Sequence, residues 1–213
     1  MDQHTAFVME ARIKRTMENL EKNNMSAYRV ENEAEALEKI KELIPPGGSV
    51  GLAGSMTLFE TGAIDFVRQG GYEVLDRYEE GLTPEGMKEV FRKTFFADSY
   101  LTSSNAVTEK GELYNVDGNG NRVAAMLYGP DQVIVVVGTN KLVKDIDQAV
   151  HKVKETASPA NNKRLNQNNP CVVTGECSEC TSPSRICNKY VVIRRQGQKG
   201  RFHVIIVNKE LGY

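Results

Sequence analysis

The 213 residues are 40% hydrophobic and 26% charged, and 27 basic against 28 acidic residues leave a formal net charge of −1. This composition is ordinary for a globular protein, and the balanced charge excludes a general basic surface for nucleic acid or for an anionic membrane. No apolar run approaches the ~20 residues of a membrane helix, and the N-terminus lacks a secretory apolar segment. The sequence therefore predicts a cytoplasmic protein with no membrane insertion.

Apolar residues alternate between two kinds of spacing along the chain. Helical spacing predicts helices over residues 5–23, 33–44, 57–68, 84–95 and 145–156. Short apolar runs predict strands over residues 27–30, 49–53, 72–75, 99–102, 132–137, 190–194 and 202–207. This alternation predicts an α/β fold with a mainly parallel sheet covered on both faces, and the run QVIVVV at 132–137 as a central strand. The apolar face of the N-terminal helix suits a homo-oligomer as well as a core.

Turn-forming residues interrupt the alternation after residue 102. Residues 111–116 and 121–127 flank the sequence Asp-Gly-Asn-Gly at 117–120, which predicts a hairpin. Residues 158–169 are polar and rich in asparagine, and they lead into a cysteine-rich segment. We therefore predict one α/β domain over residues 1–213, with a cysteine-rich insertion at 158–188 before the last strands.

The first candidate ligand loop follows the strand at 49–53 and opens the next helix. Its residues are Gly54, Ser55, Met56 and Thr57. Small residues at a helix N-terminus let an anion approach backbone N–H groups. The dinucleotide pattern GxGxxG and the P-loop pattern GxxxxGK[ST] are both missing, which excludes those nucleotide sites. The alternative interpretation is a tight strand–helix turn that Ser55 or Thr57 caps.

The second candidate loop follows the strand at 99–102. Asn105, Thr108 and Glu109 are expected to converge with the first loop on one crevice, since ligands bind at the carboxyl ends of parallel strands. Together the loops would hold a small carboxylate or another small anion. Glu109 would serve as a general base if burial raised its pKa. The alternative is a solvated loop that leads into the hairpin.

All four cysteines lie in one short segment, at Cys171, Cys177, Cys180 and Cys187. In a reducing compartment such a group suits metal ligation or redox chemistry better than structural disulfides. Four thiolates can hold a 4Fe–4S cluster, whereas structural zinc usually takes two C-x2-C pairs and only one is present here. We rank an iron–sulfur cluster first, zinc second and disulfide or dithiol chemistry third.

Four longer segments carry a family resemblance that covers almost the whole chain. They are GLAGSMTLFETGA (51–63), SSNAVTEKGELYNVDGNGNRVAAMLYGPDQVIVVVGTNKLV (103–143), SPANNKRLNQNNPCVVTGECSECTSPSRICN (158–188) and RFHVIIVNKELGY (201–213). On these segments the chain resembles the lactate utilisation (LUD) domain family, in the subgroup with a C-terminal four-cysteine segment.

The resemblance implies a three-layer α/β fold of the sugar-phosphate isomerase/CoA-transferase type. It also implies a part in the oxidation of lactate to pyruvate, together with iron–sulfur partner subunits. The chain departs from the CoA-transferases of this wider group, whose acyl-accepting glutamate lies in the sequence S-E-N-G. The corresponding residues here are SSNA at 103–106, which place Ser104 at the position of that glutamate. This departure argues against covalent CoA transfer by that route.

These observations lead to three hypotheses. In the leading one, the chain binds a small carboxylate and takes part in redox metabolism of lactate or a related 2-hydroxy acid as an iron–sulfur electron-transfer component. The second is a non-redox isomerase- or transferase-like enzyme with Glu109 as the base and structural zinc on the cysteines. The third is a ligand-binding regulatory module whose thiols sense oxidants or metal.

Overall fold

The computed structural model describes residues 2–213. The helices are α1 Gln3–Lys22, α2 Glu33–Leu43, α3 Met56–Glu60, α4 Ala63–Gln69, α5 Pro84–Lys93, α6 Asn121–Leu127, α7 Ile146–Lys152, α8 Ser158–Arg164 and α9 Cys171–Thr174. The strands are β1 Met25–Val30, β2 Ser49–Leu52, β3 Glu73–Leu75, β4 Ser99–Thr102, β5 Ala106–Thr108, β6 Leu113–Asp117, β7 Gln132–Gly138, β8 Leu142–Val143, β9 Lys189–Ile193 and β10 Phe202–Val207. Within residues 2–213 no helix combines the length and the apolar character needed to cross a membrane.

The larger sheet contains six parallel strands in the order β1-β10-β7-β4-β2-β3. β7 lies between β10 and β4 and is buried from residue 133 to residue 138. An uninterrupted apolar run is what a strand covered on both faces requires. The predicted parallel sheet and the central position of this strand are therefore confirmed.

The side chains of β7 divide the core between the two faces of this sheet. Val133, Val135 and Val137 belong to a cluster that also contains residues of α1 and α6. Ile134 and Val136 belong to the opposite cluster, which contains residues of α2, α3 and α4. Successive side chains of a strand point to opposite faces, so the sheet is the middle of three layers.

A smaller mixed sheet, in the order β8-β5-β6-β9, packs beside the α1 layer. β5 and β6 form an antiparallel hairpin, and β6 also pairs antiparallel with β9. On its other side this sheet meets α7 and the residue that follows it, where Ala106 and Tyr114 pack with Ala149 and Val153.

The hairpin predicted across residues 117–120 is wrong, because residues 121–127 form α6. The carboxylate of Asp117 accepts a hydrogen bond from the backbone N–H of Val123 at 3.1 Å, which satisfies one of the free amides at the start of this helix. Alanine, methionine and leucine in the sequence NRVAAML also favour a helix. β6 finds its partners in β5 and β9 instead.

The chain also stays helical beyond the predicted end at residue 156. A π-helical segment, Val153–Ala157, joins α7 to α8, and the polar residues that lead into the cysteines begin with α8. Pro159 has no N–H to donate to the preceding helical turn, which suits the change of hydrogen-bond pattern at this junction. The cysteine-rich insertion therefore begins on a helix.

Candidate functional site

A cleft of about 230 Å³ opens at the carboxyl edge of the six-stranded sheet, and we call it the sheet-edge cleft. The loops after β2, β3, β4, β7 and β10 all contribute to it. They supply, in this order, Ser55 and Met56, Arg77, residues 103–105, Lys141, and Tyr213. Ligands of open α/β sheets bind at this edge, outside the carboxyl ends of the strands.

The first predicted loop lies in the cleft wall. Gly54, Ser55 and Met56 line it, and Thr57 lies behind them, fully buried. A side chain at Gly54 would come within 3.1 Å of the Arg77 guanidinium, so glycine lets this cation lie against the backbone.

Lys141 is the buried cation at the base of the cleft, with 3% of its surface exposed. Its Nζ donates to Thr57 Oγ1 at 2.8 Å and to Ser103 Oγ at 2.9 Å. Burial, reinforced by the positive charges of Lys152 and Arg122, lowers the pKa of Lys141 to about 7. At neutral pH a large fraction of this side chain is therefore an uncharged amine.

Arg122 has a structural part in the cleft, because its guanidinium is fully occupied. Its Nη1 donates to the Ser103 carbonyl and to Asn115 Oδ1, and its Nη2 donates to Asn105 Oδ1 and to the Val116 carbonyl. Its Nε donates to Asp117 Oδ1 at 2.9 Å. These bonds fix Asn105 in the cleft wall and neutralise Asp117.

Two other arginines of the cleft have no acidic partner. The Arg77 guanidinium stacks over the Phe91 ring at 5.1 Å, and Arg164 donates to Asn161 Oδ1. Within residues 2–213 neither forms an ion pair with a carboxylate. Donors remain on both side chains for a ligand, since each guanidinium carries five N–H groups.

Tyr213 adds a polar group that the described chain leaves unsatisfied. Its hydroxyl is buried and makes no hydrogen bond within residues 2–213. Burial raises the pKa of Tyr213, and the nearby Arg164 opposes this rise. Buried hydroxyl groups normally have a partner, and the Arg164 guanidinium is a side chain near enough to turn a donor towards this one.

The second predicted loop is only partly in the cleft. Asn105 lines it, whereas Thr108 and Glu109 do not. Thr108 is buried in β5 and bonds to Glu112, and Glu109 pairs with Arg12 and Arg15 of α1 at 2.9 and 2.7 Å. An extended chain advances about 3.3 Å per residue, so β5 carries both residues away from the sheet edge. The expected convergence of these three side chains is thus corrected to Asn105 alone.

α8 forms the wall opposite these loops. Ala157, Asn161 and Arg164 all line the cleft, and Ala157 ends the π-helical segment that precedes α8. π-Helical turns are frequent at functional sites because the extra residue changes which side chains face inward.

The four cysteines are all free thiols. Cys171 and Cys187 are buried, and Cys177 and Cys180 are partly exposed. Burial raises the pKa of Cys171, and the other three thiols add to this rise, so each of them lies within electrostatic range of Cys171. The donor set therefore has the chemistry of a four-thiolate centre.

The four cysteine side chains are nevertheless not arranged as a closed metal site. Among residues 2–213 no three histidine, cysteine or acidic side chains are arranged to hold a metal ion. The segment is held by its backbone instead: Arg185 donates to the carbonyls of Cys180 and Cys187, and Cys177 N–H donates to the Lys154 carbonyl at 3.2 Å.

The cysteine segment reaches the sheet-edge cleft at its C-terminal end. Ile186 lines the cleft, and the N–H of Asn188 donates to the Asp117 carbonyl at 2.9 Å. Gly118 permits this contact, because a side chain there would lie 3.2 Å from the Ile186 carbonyl oxygen. Cys187 is thus next in sequence to a residue of the cleft wall.

Sequence reasoning missed Lys141, Arg77, Arg164 and Tyr213. Lys141 ends the 3₁₀ turn Thr139–Lys141 directly after β7, and Arg77 lies just beyond β3. A polar residue after each parallel strand is the signal that could have identified these two. Arg164 and Tyr213 reach the cleft only through tertiary packing, which no local pattern shows.

The comparisons agree with this fold. The model of the LUD domain family matches residues 13–207. The structure is similar to that of a DUF162 family protein from Deinococcus radiodurans, with a TM-score of 0.53 and 17% sequence identity over 93% of this chain and 98% of that one. No curated protein matches the sequence.

Proposed function

Because the chain belongs to the LUD domain family, which is associated with lactate utilisation, we propose that it binds a small carboxylate of the 2-hydroxy or 2-oxo acid class in the sheet-edge cleft. The observation that carries the proposal is the charge of this cleft. Four basic residues line it, Arg77, Arg122, Lys141 and Arg164, against one acidic residue, Asp117. Asp117 is already paired with Arg122 at 2.8 Å, so the remaining field is positive.

The two arginines without acidic partners suit a carboxylate in particular. A guanidinium can bind both carboxylate oxygens with parallel hydrogen bonds, which are stronger than bonds between neutral groups. The volume of about 230 Å³ lies below the range of pockets for drug-sized ligands, roughly 300–1,000 Å³, and favours a molecule of a few carbons.

Isothermal titration with L-lactate and with pyruvate tests this proposal. Arg164→Gln and Arg77→Gln should each weaken binding roughly ten- to a hundredfold, the value of a hydrogen bond to a charged group. Arg92→Gln, which removes an exposed arginine of α5 outside the cleft, is the matched control and should bind like the parent. Equal affinity in the parent and both cleft variants, or no binding of either acid, would contradict the proposal.

We further propose that Cys171, Cys177, Cys180 and Cys187 hold a 4Fe–4S cluster, with zinc as the alternative metal. The support is the donor set, four free thiols of which three lie within electrostatic range of Cys171, and the contact of Ile186 with the cleft. Such a cluster carries electrons when it is bound. In this setting its role would be to pass them to iron–sulfur partner subunits during oxidation of a 2-hydroxy acid.

Anaerobic reconstitution with iron and sulfide tests the cluster. The parent should develop a broad visible absorption that dithionite bleaches, and Cys180→Ser should lose most of it. Ser178→Ala, in the same loop, should behave like the parent. A colourless protein without bound iron would exclude the cluster, and stoichiometric zinc in its place would establish the alternative centre.

A further inference from the structure

The amine of Lys141 donates hydrogen bonds to two hydroxyl groups, and neither bond uses the lone pair of its nitrogen. The hydroxyl of Thr57 donates to the Leu211 carbonyl at 3.3 Å, and that of Ser103 donates to the Ser104 carbonyl at 3.4 Å. Both hydroxyl oxygens therefore accept from Lys141 Nζ. An uncharged amine that donates twice keeps one lone pair, and none of these contacts uses it.

The surroundings keep this amine in its reactive form. Burial and the charges of Lys152 and Arg122 lower the pKa of Lys141 to about 7, and only Glu60 acts in the opposite direction. A lysine is a nucleophile only when it is deprotonated, and desolvation beside other cations is a known way to achieve this.

We propose that Lys141 attacks the carbonyl carbon of a 2-oxo acid in the sheet-edge cleft and forms an imine with it. This inference rests on the proposed binding of a small carboxylate. Arg77 and Arg164 would hold the carboxylate, while the adjacent carbonyl faces the amine. A 2-hydroxy acid has a hydroxyl group in place of the keto group at C2, so it binds in the same cleft without forming this bond.

The step needs no oxidant or reductant. The nitrogen lone pair forms a bond to the carbonyl carbon, the π pair of the carbonyl moves to its oxygen, and one proton passes from nitrogen to that oxygen. The hydroxyl then leaves with a second proton as water, and the nitrogen pair completes the C=N bond. The Ser103 hydroxyl lies 2.9 Å from Nζ and lines the cleft, so it can carry these protons.

Trapping with cyanoborohydride tests the imine. Incubation of the parent protein with pyruvate and cyanoborohydride, followed by peptide mass mapping, should give one reduced adduct per chain at Lys141. Lys152, whose pKa is also lowered by burial but which lies outside the cleft, is the internal control and should stay unmodified. Lys141→Arg keeps a cation and should abolish the adduct. Modification of surface lysines at the same rate as Lys141 would overturn the inference.

Titration with L-lactate separates this inference from the function on which it rests. Lactate binding together with no adduct at Lys141 overturns the imine and leaves the anion site in place. No binding of lactate or pyruvate overturns the anion site itself. Mapping on the parent protein requires no variant, so the test stands even if Lys141→Arg fails to fold.

Discussion

Lys141 shows how a single residue can link stability to the chemistry of the cleft. The folded protein buries its side chain, and the hydrogen bonds to Thr57 and Ser103 replace only part of its hydration. Burying an ammonium group without a carboxylate partner costs free energy, and the lowered pKa is the measure of this cost.

The first consequence is a pH-dependent stability. Folded Lys141 loses its proton near pH 7, whereas the unfolded chain keeps it to about pH 10.4, so the unfolded state binds more protons between these values. The free energy of unfolding should therefore rise with pH in this window, by up to about 1.4 kcal/mol per pH unit from this residue. Urea unfolding at pH 7, 8 and 9 measures this pH dependence of the free energy of unfolding.

The variant for comparison is Lys141→Met. Its free energy of unfolding should rise less steeply with pH than that of the parent, because the contribution of Lys141 is removed. Lys152 contributes in the same direction, because burial lowers its pKa too, and it remains in both proteins. Arg122 and Glu60, the other charged groups that act on Lys141, are the same in both proteins. Identical slopes for the parent and the variant would show that Lys141 is protonated in the folded protein.

At the scale of elements, the turn between β5 and β6 serves as the attachment point of α1. Glu109 in this turn pairs with Arg12 and Arg15, and its carbonyl accepts from Asn19 Nδ2 at 2.8 Å. Gly111 has φ +74°, and a side chain there would lie 2.5 Å from the backbone of Asn19. Only glycine permits this approach, so the turn is shaped for the helix and not for a ligand.

Glu109→Gln should therefore lower the stability of the protein and leave ligand binding in the sheet-edge cleft unchanged. Removing the charge weakens two ion pairs that are partly exposed, so the free energy of unfolding should fall by about 1–2 kcal/mol in urea titrations. Affinity for lactate should stay at the parental value. Glu89→Gln, which changes an exposed glutamate in the middle of α5, should change neither quantity. A variant that keeps its stability and loses ligand binding would restore Glu109 as a site residue.

Across the whole molecule, the parallel sheet could be predicted from sequence and the smaller sheet could not. Runs such as 132–137 carry enough apolar pattern to identify a buried strand. β5 has three residues and β8 has two, which is too short for any alternation to be visible. β6 pairs with β9 across most of the C-terminal half, as in the pair Leu113–Ile193, and such long-range pairing leaves no local signal.

The residues of the candidate site also fall into those that the sequence predicts and those that it does not. Residues 54–57 and Asn105 follow strand ends directly, so the rule for open sheets predicts their position. Glu109 lies outside the cleft, and the rule could not show this because it says nothing about a second sheet that begins one residue after Asn105. Arg164 lies on a helix where the sequence showed only a polar, asparagine-rich segment, and its place in the cleft depends on how that helix packs.

The orientation of α8 depends on the number of residues in the π-helical segment Val153–Ala157 that precedes it. A π turn contains about one residue more than an α turn, so deletion of a single residue there would restore a continuous α-helix. Each residue of an α-helix turns the chain by roughly 100°, so α8 would rotate by that angle about its own axis. Arg164 and Asn161 would then face away from the cleft while every strand kept its place. Among relatives with this fold, a gap of one residue at this point would mark a cleft in which α8 presents different side chains.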